Sequence, residues 1–457
     1  MRRRGMALLI ALALVLVSGC GRPWPSGGPP GGGHGHPRPE HPIVFVHGFA
    51  GSAAQFESQA MRFTSNGYPQ EWIGAIDYDS TFGLASREQV WLNLDAEIDR
   101  ILAETGADQV DLAGHSLGTS VLQGYLNSSP ERAARVAHYV NIDGRTATAL
   151  PGGVPTLAVW GMGNDARQIV GAENYRDPGQ SHVEVATSAE TFGAMYQFLT
   201  GRAPGTTDIV PQPPGRVEIS GRATVFLSNE GAAGATLQLW RVDPATGHRL
   251  TPEPEASQVL PEDGSFGPLR VNGRTTYELV LARDSGTAHH FYASPFLRSS
   301  HLVRLLTSEP GTGIDLLRET SDHHASLTLV RNQEFWGDQG AAGDVLRVAG
   351  QDLATPALAP QAKRVIGMFA FDRGVDGVTD LSQPIPTLFA LPFLSGGDVF
   401  LPATLPPDGS IRIETVARSG TGVPEVLNVP NWPSSTDHVS VMLRDFSQGD
   451  DSFPWRG

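Results

Sequence analysis

A serine between two glycines, in Gly114-His115-Ser116-Leu117-Gly118, is the residue best placed to do chemistry in this sequence. The apolar run Val110-Asp111-Leu112-Ala113 precedes it and a helix-spaced stretch, residues 119–127, follows, so the order is strand, G-x-S-x-G, helix. This strand-to-helix turn is tight, and side chains two residues before or after the serine would collide with neighbouring backbone. We predict that Ser116 is a nucleophile with its hydroxyl exposed at the carboxyl edge of a sheet.

A serine hydroxyl is a weak nucleophile near neutral pH and needs a general base. The strand, turn and helix around Ser116 resemble those of the α/β-hydrolases, and this resemblance implies an acid and then a histidine further along the chain. His182, in DPGQSHVEV, comes after a glycine-containing loop and just before the last predicted helix of this region. His138 lies inside a strand-like run, which is typical of a core histidine. It also precedes Asp143 and Asp165, the two aspartates that could serve as the acid. We therefore predict that His182 is the base.

Two aspartates could orient the imidazole of this base. Asp143 stands at the carboxyl end of the strand-like VNID, and Asp165 follows the next strand-like run in LAVWGMGND. Both positions put a carboxylate at the same edge of the sheet as the serine. The residue types and their spacing do not decide whether Asp143 or Asp165 is the acid.

The elements that must position these side chains follow an α/β pattern. From residue 42 to about 202, short apolar strands alternate with helix-spaced stretches, which is typical of a mostly parallel sheet with flanking helices. The predicted strands are Ile43–Val46, Trp72–Tyr78, Val110–Ala113, Val136–Ile142 and Thr156–Trp160. The predicted helices are residues 53–65, 87–104 and 189–199; in the second, apolar positions run through Val90, Leu92, Leu94, Ile98, Ile101 and Leu102.

The chain changes character after this region. Residues 203–215, APGTTDIVPQPPG, have the proline and glycine density of a linker. Beyond it, turn residues separate the β-rich runs RVEISGRATVFLSN, ATLQLWRV, TTYELVLA, HASLTLVRN, QAKRVIGMFAFD and IRIETVAR. We predict a domain at residues 42–202, a linker at 203–215 and a mostly-β region, sandwich or barrel, at 216–457.

The first residues have the pattern of a secretory signal. Residues 1–20 place three arginines before an apolar run that is short for a spanning helix and ends at Cys20, the only cysteine. The stretch Val17-Ser18-Gly19-Cys20 resembles a bacterial lipobox, which implies export across the inner membrane and a lipid anchor on Cys20 at the cell surface or in the periplasm. The alternative is an ordinary secretory peptide. Residues 21–41 are rich in proline and glycine and are predicted to form a tether.

Composition excludes several classes of function. The formal net charge of −15 argues against a nucleic-acid partner, and one cysteine excludes a disulfide framework, a thiolate zinc site or an iron–sulfur cluster. No redox or organic cofactor and no metal is implied. Asp372–Asp380 has the oxygen spacing of a calcium loop, but its third position is Gly374 and its twelfth is Gln383, which favours a turn.

Longer stretches carry a family resemblance. HPIVFVHGFAGS and VDLAGHSLGTS resemble the α/β-hydrolase lipases and esterases over residues 42–202. YLNSSPERAARVAHYVNIDG, PGTTDIVPQ and the β-rich end resemble bacterial and archaeal triacylglycerol lipases that carry a lipid-binding β domain.

The resemblance implies roles for particular residues. Asp143 matches the acid position of these two-domain lipases. The oxyanion hole would consist of the backbone amides of Phe49 and Leu117. His47 would brace its loop, and the β-rich region would bind lipid or substrate or cover the entrance.

One segment departs from the family pattern. The related lipases insert a helical lid before the strand that carries the serine, whereas here one helix accounts for most of residues 76–105. This predicts an open cleft, suited to short soluble esters or to an insoluble substrate presented by the β-rich region.

Together these observations predict a secreted, lipid-anchored serine hydrolase of carboxylic esters, with acylglycerols as the expected substrate. One alternative is a polyester depolymerase or short-chain esterase with a polymer-binding β module. Another is a catalytically silent surface-binding lipoprotein.

Overall fold

The computed structural model describes residues 40–163, 165–420 and 422–446, and these residues belong to one compact unit. The predicted signal, Cys20 and all but the end of the predicted tether lie outside the described residues. Within these three ranges, no helix combines the length and apolarity that crossing a membrane requires.

A six-stranded parallel sheet forms the first part of the described chain. Its strands are β1 (Ile43–Val46), β2 (Ile73–Ile76), β3 (Val110–His115), β4 (Val136–Ile142), β5 (Thr156–Trp160) and β6 (Glu173–Arg176), in the order β2-β1-β3-β4-β5-β6. The five predicted strands are confirmed, although β2 is shorter than expected. Strand β6 was not predicted, because its sequence ENYR is polar and mostly exposed at the sheet edge.

Helices cover both faces of this sheet. They are α1 (Glu57–Ser65), α2 (Arg87–Thr105), α3 (Leu117–Ser128), α4 (Pro130–Ala134), α5 (Glu184–Thr187) and α6 (Ala189–Thr200). On one face, residues such as Phe45 pack against α1 and α6; on the other, residues such as Val44 pack against α2 and α3. The predicted helix at 53–65 begins with a 3-10 turn, Ala53–Phe56.

The ends and the buried face of helix α2 follow from its local sequence. Ser86 caps its first turn by accepting a hydrogen bond from the Gln89 amide, and Gly106 ends it with φ of 71°. Four predicted apolar positions are buried, namely Val90, Leu94, Ile98 and Ile101. Leu92 was wrongly placed on this apolar face: it is exposed, because it lies off the stripe that faces the sheet.

The rest of the chain is mostly β, as predicted. A mixed eight-stranded sheet has the order β18-β17-β14-β21-β12-β11-β8-β9, a three-stranded sheet has the order β10-β7-β13, and a four-stranded sheet has the order β16-β15-β19-β20. The strands are β7 (Val217–Val225), β8 (Thr236–Arg241), β9 (Ala256–Val259), β10 (Ser265–Val271), β11 (Tyr277–Ala282), β12 (Ala288–Ala293), β13 (Ser300–Thr307), β14 (Leu327–Phe335), β15 (Val345–Val348), β16 (Gln351–Asp352), β17 (Val365–Phe371), β18 (Leu394–Asp398), β19 (Ser410–Val416), β20 (Glu425–Pro430) and β21 (Asp437–Met442), with a short helix, α7 (Pro386–Phe389).

These sheets pack as layers of a sandwich. Alternate residues of β12 point to opposite faces, so Tyr292 packs with the four-stranded sheet while Phe291 packs with the three-stranded sheet. The segment predicted as a linker is held against α1, since the Asn66 side chain accepts hydrogen bonds from the amides of Gly205 at 2.7 Å and Thr206 at 3.1 Å.

Candidate active site

Ser116 lies in a sharp turn between β3 and α3. Its φ of 52° and ψ of −116° are a conformation that side-chain-bearing residues rarely adopt. A Cβ on Gly118 would lie 2.2 Å from the Val46 carbonyl oxygen, and one on Gly114 would lie 3.0 Å from the backbone of Gly118. The two glycines are therefore required by close backbone approach, as the sequence predicted.

The predicted nucleophile, base and acid meet in one hydrogen-bonded line. Nε2 of His182 is 2.9 Å from Oγ of Ser116, and Nδ1 of His182 is 2.6 Å from Oδ2 of Asp143. The side chains of His182 and Asp143 are 12% and 3% exposed. Asp165 is exposed beyond β5 and has no hydrogen bond to His182 in the described structure. The tertiary structure thus brings Asp143, and not Asp165, to the imidazole.

Asp143 is held as a carboxylate by further partners. Burial raises the pKa of its carboxyl, but His182, Arg167 and the Gly161 amide outweigh burial, so that the net pKa lies below its ordinary value. Oδ1 accepts the Gly161 N–H at 2.9 Å and lies 2.8 Å from Nη1 of Arg167. Sequence analysis missed Arg167 because nothing in its local sequence marks it as a partner of Asp143.

The two predicted oxyanion donors flank the serine. Leu117 is the first residue of α3, so its N–H has no acceptor within the helix. The amides on either side of Phe49 are held, Gly48 N by Oε1 of Gln55 and Ala50 N by Oγ of Ser80. The Phe49 amide itself has no hydrogen-bond partner among the described residues. Both donors are therefore available to an oxygen beside Ser116.

His47 braces the loop that carries Phe49. It is fully buried and stacks on Tyr78 with ring centroids 4.3 Å apart, while Nδ1 donates to the Gly48 carbonyl at 2.7 Å. Burial lowers the pKa of His47, which keeps the ring neutral. Asn229, from the β-rich region, donates to the Gly51 and Tyr78 carbonyls.

A buried chain of side chains joins this loop to the base. Nε2 of Gln55 donates to Nδ1 of His115 at 2.7 Å, which leaves Nε2 of His115 to donate to the His182 carbonyl at 2.7 Å. Burial, together with the nearby His182, lowers the pKa of His115 to about 3. The tautomer is therefore fixed by the network. Sequence analysis named neither residue for this task.

Family models match three segments of the chain. A family model described as lipase (class 2) matches residues 40–128, a lipase C-terminal domain model matches residues 215–310, and a further C-terminal-domain model matches residues 313–447. These matches support a lipase or esterase family for the chain. The predicted fold, an α/β-hydrolase sheet followed by a mostly-β region, is confirmed, and the matches support a hydrolase.

Solved structures with partial similarity include hydrolases and lipases. A predicted CIB-like hydrolase from Thermoplasma acidophilum is 18% identical, with a TM-score of 0.27 over 35% of this chain and 87% of that one. Lipase B of Aspergillus fumigatus is 15% identical, with a TM-score of 0.30 over 37% of this chain and 54% of that one. A bacterial membrane phospholipase A is 16% identical, with a TM-score of 0.26 over 37% and 81%. At such low values these likenesses do not define a substrate.

A cavity of about 230 Å³ contains Ser116 and His182 and extends into the β-rich region. Aromatic side chains from both regions line it: Phe49, Phe226, Phe291, Phe296, Phe369 and Phe393. The predicted open cleft is therefore wrong. One helix, α2, does account for most of residues 76–105, as expected. A face of the eight-stranded sheet, however, covers the part of the cleft where a helical lid is absent.

The β-rich region also contacts the segment that carries the base. Glu334 on β14 is fully buried; its Oε1 accepts the Val183 N–H at 2.7 Å, and its Oε2 accepts the Glu184 N–H at 3.1 Å and the Ser181 hydroxyl at 2.5 Å. Both neighbours of His182 are thus held by one carboxylate.

The aspartate loop with calcium-like spacing is a set of turns. The Asp372 carboxylate accepts the amides of Asp376 and Gly377, and Asp376 and Asp380 each accept the amide two residues further on. No cluster of histidine, cysteine, aspartate or glutamate in the described part of the chain has the composition of a metal site.

Proposed function

We propose that this chain is a serine hydrolase of carboxylic esters and that Ser116, His182 and Asp143 are its catalytic residues. The observation that carries the proposal is the unbroken line of hydrogen bonds from Ser116 through His182 to Asp143, which opens into a cavity. This geometry matches the requirements of acyl transfer, namely a nucleophile, a base within reach and an acid that orients the base.

In the proposed reaction, Oγ of Ser116 attacks the ester carbonyl while Nε2 of His182 takes its proton. The tetrahedral oxyanion receives hydrogen bonds from the Phe49 and Leu117 amides; loss of one such donor typically costs about 2.7–4 kcal/mol of transition-state stabilisation. His182 then protonates the leaving alcohol. Water attacks the acyl-enzyme carbonyl while His182 takes its proton, and His182 returns that proton to Oγ of Ser116 as the carboxylic acid is released. Asp143 stays ionised and holds Nδ1 of His182 protonated.

The lining of the cavity favours a substrate whose acid portion is an apolar acyl group. Its aromatic lining would bury hydrocarbon from water, which is worth roughly 25 cal/mol per Å². Acylglycerols are the proposed substrates. A walled cavity suits an inserted chain better than a polymer strand lying across a surface. Secretion and lipid attachment at Cys20 remain part of the proposal and rest on the sequence pattern of residues 1–20.

The test uses the full chain in detergent micelles and nitrophenyl esters from butyrate to palmitate. We expect hydrolysis that extends to the longer chains, covalent labelling by a fluorophosphonate, and loss of both in Ser116→Ala. Hydrolysis without Ser116 dependence would refute the assignment of the nucleophile, and absence of any hydrolysis or labelling would support the silent binding protein. Incorporation of radiolabelled palmitate in a bacterial host, compared with Cys20→Ala, tests the anchor separately.

A further inference from the structure

The cavity wall formed by the β-rich region is not uniformly apolar. Among the polar side chains that line the same cavity as Ser116, five form one cluster, which we call the polar row: Thr307, His289, Ser440, His438 and Thr328. His289 and His438 are paired residues on the neighbouring strands β12 and β21, and Thr328 and Ser440 are paired on β14 and β21. Four members of the row therefore lie on neighbouring strands of the eight-stranded sheet, and Thr307 is on β13 of the three-stranded sheet.

Hydrogen bonds connect the members of the polar row. The two ring nitrogens of His289 lie 2.9 Å from Oγ1 of Thr307 and 2.8 Å from Oγ of Ser440. Nε2 of His438 lies 2.8 Å from Oγ1 of Thr328, and the two imidazoles stack with centroids 4.1 Å apart. The row is thus an ordered set of donors and acceptors with fixed ring planes.

The polar row is buried and carries no net charge. Its residues are between 2% and 9% exposed. Burial, followed by the nearby Arg318, lowers the pKa of both histidines well below the ordinary value, so the rings are neutral at physiological pH. Charged side chains that act on the two rings are themselves paired, among them Arg318 with Asp315 and Arg283 with Glu309. A group bound at the row would meet neutral hydrogen-bonding partners.

The row keeps hydrogen-bonding capacity that its own members do not use. Nδ1 of His438 has no hydrogen bond to any described residue, and it is not among the fully enclosed atoms that lack a partner. A neutral imidazole has one donor and one acceptor nitrogen, and each hydroxyl has two acceptor lone pairs. His438 and its neighbours can therefore bind one more polar group in the cavity.

The position of the row along the strands separates it from the nucleophile. On β14, Glu334 contacts the residues beside His182, whereas Thr328 is six residues away, a span of at most about 20 Å of extended strand. Between them Val330, and on β21 its strand partner Met442, give the cavity an apolar lining. An acyl chain attached at Ser116 would cross this apolar stretch before it reaches the row.

We propose that the polar row is a subsite for a hydroxyl or another uncharged hydrogen-bonding substituent on the distal part of the acyl chain. The preferred substrates are then esters of oxygenated fatty acids, a refinement that rests on the proposed esterase function. The reason is that a plain hydrocarbon placed against the row displaces water without replacing its hydrogen bonds, whereas a hydroxyl restores them.

The experiment compares nitrophenyl octadecanoate with a series of isomers that carry one hydroxyl at successive positions of the chain. For the wild-type full chain we expect kcat/KM to be about tenfold higher for hydroxyls at distal positions than for the parent ester, the effect of one well-placed hydrogen bond. In His438→Leu this preference, the ratio of kcat/KM for the hydroxylated ester to that for the parent ester, should fall to about one. Thr328→Val removes one hydroxyl of the row and should lower this preference as well, by a smaller factor.

The matched control is Met442→Leu, which changes the apolar part of the same wall at nearly constant volume and should keep the preference. Equal rates for all isomers in the wild type, or an equal loss for hydroxylated and parent esters in His438→Leu and Thr328→Val, would overturn the proposal. A carboxylated chain preferred over the hydroxylated one would overturn its uncharged character. Binding of the free fatty acids to Ser116→Ala is a second measurement, which does not depend on turnover. Tighter binding of the acid with a distal hydroxyl than of the parent acid would support the subsite. This result would hold even if the protein hydrolysed no ester and the proposed function were wrong.

Discussion

Oε1 of Glu334, on β14 of the β-rich region, lies 2.7 Å from the amide nitrogen of Val183, the residue that follows His182. The same carboxylate binds the Ser181 hydroxyl on the other side of the histidine. The β-rich region therefore both walls the cavity and positions the proposed base, so the site is built from both regions.

Replacing Glu334 with glutamine should lower kcat about tenfold and leave KM nearly unchanged. The amide NH₂ cannot accept from backbone N–H groups, so one of the bonds that hold Val183 and Glu184 is lost and His182 is less well placed. Steady-state kinetics and the rate of fluorophosphonate labelling measure the effect. Glu278→Gln is the control, because Glu278 is an equally buried carboxylate of the β-rich region that contacts Arg249 and His290 and none of residues 181–184. That variant should lose thermal stability and keep kcat; an unchanged kcat in Glu334→Gln would contradict the positioning role.

Asp143→Asn should reduce kcat by roughly 10³- to 10⁴-fold, because an amide in place of the carboxylate favours the wrong imidazole tautomer. Asp165→Asn is the matched control at the other candidate acid and should retain wild-type kcat, since Asp165 is exposed and has no hydrogen bond to His182 among the described residues. The measurement is the kcat of ester hydrolysis by the two purified variants. A large loss in Asp165→Asn together with wild-type kcat in Asp143→Asn would assign the acid to Asp165.

Gly118→Ala should destabilise the fold by about 3 kcal/mol and abolish ester hydrolysis, since its Cβ would lie 2.2 Å from the Val46 carbonyl, a backbone atom that cannot rotate away. Gly124→Ala, in the same helix, is the comparison. Its Cβ would meet the edge of the Trp91 ring at 2.7 Å, and a small ring shift together with better helix propensity should leave stability within about 1 kcal/mol. Urea unfolding monitored by fluorescence tests both; equal stability of the two variants would contradict the close-approach argument.

Glu278→Gln should destabilise the protein in a pH-dependent way. Burial raises the pKa of the Glu278 carboxyl, but His290 and Arg249 outweigh it and lower the pKa from 4.5 to about 2. A group with a lowered folded-state pKa contributes stability that is present above about pH 4.5 and is lost as the pH falls toward about 2. The deficit of the variant should be about 3 kcal/mol near pH 7 and should shrink below about pH 4.5.

Chemical denaturation at a series of pH values measures this deficit. Glu414→Gln removes a partly exposed carboxylate that pairs with the exposed side chains of Arg347 and Arg412, and it should change stability little at any pH. A deficit of Glu278→Gln that stays constant down to pH 3 would show that packing, and not ionisation, is responsible.

The sequence by itself determined the features that depend on local patterns. Short apolar runs identified the five core strands, and apolar residues at helical spacing identified the flanking helices. The glycines around Ser116 identified the tight turn. Each of these signals depends on residues close together in the chain. His182 could be predicted since the order of elements restricts where a base can stand. Polar β6 gave no such signal.

Only the tertiary structure decided between Asp143 and Asp165, because the sequence places both at the same sheet edge and the choice depends on side-chain direction. It also brought the β-rich region over the expected open cleft, with Glu334 beside a residue 151 positions earlier. Such contacts follow from how whole sheets pack, and no spacing along the chain encodes them. The sequence therefore specified the chemistry of the site, while long-range packing determined its partners and its shape.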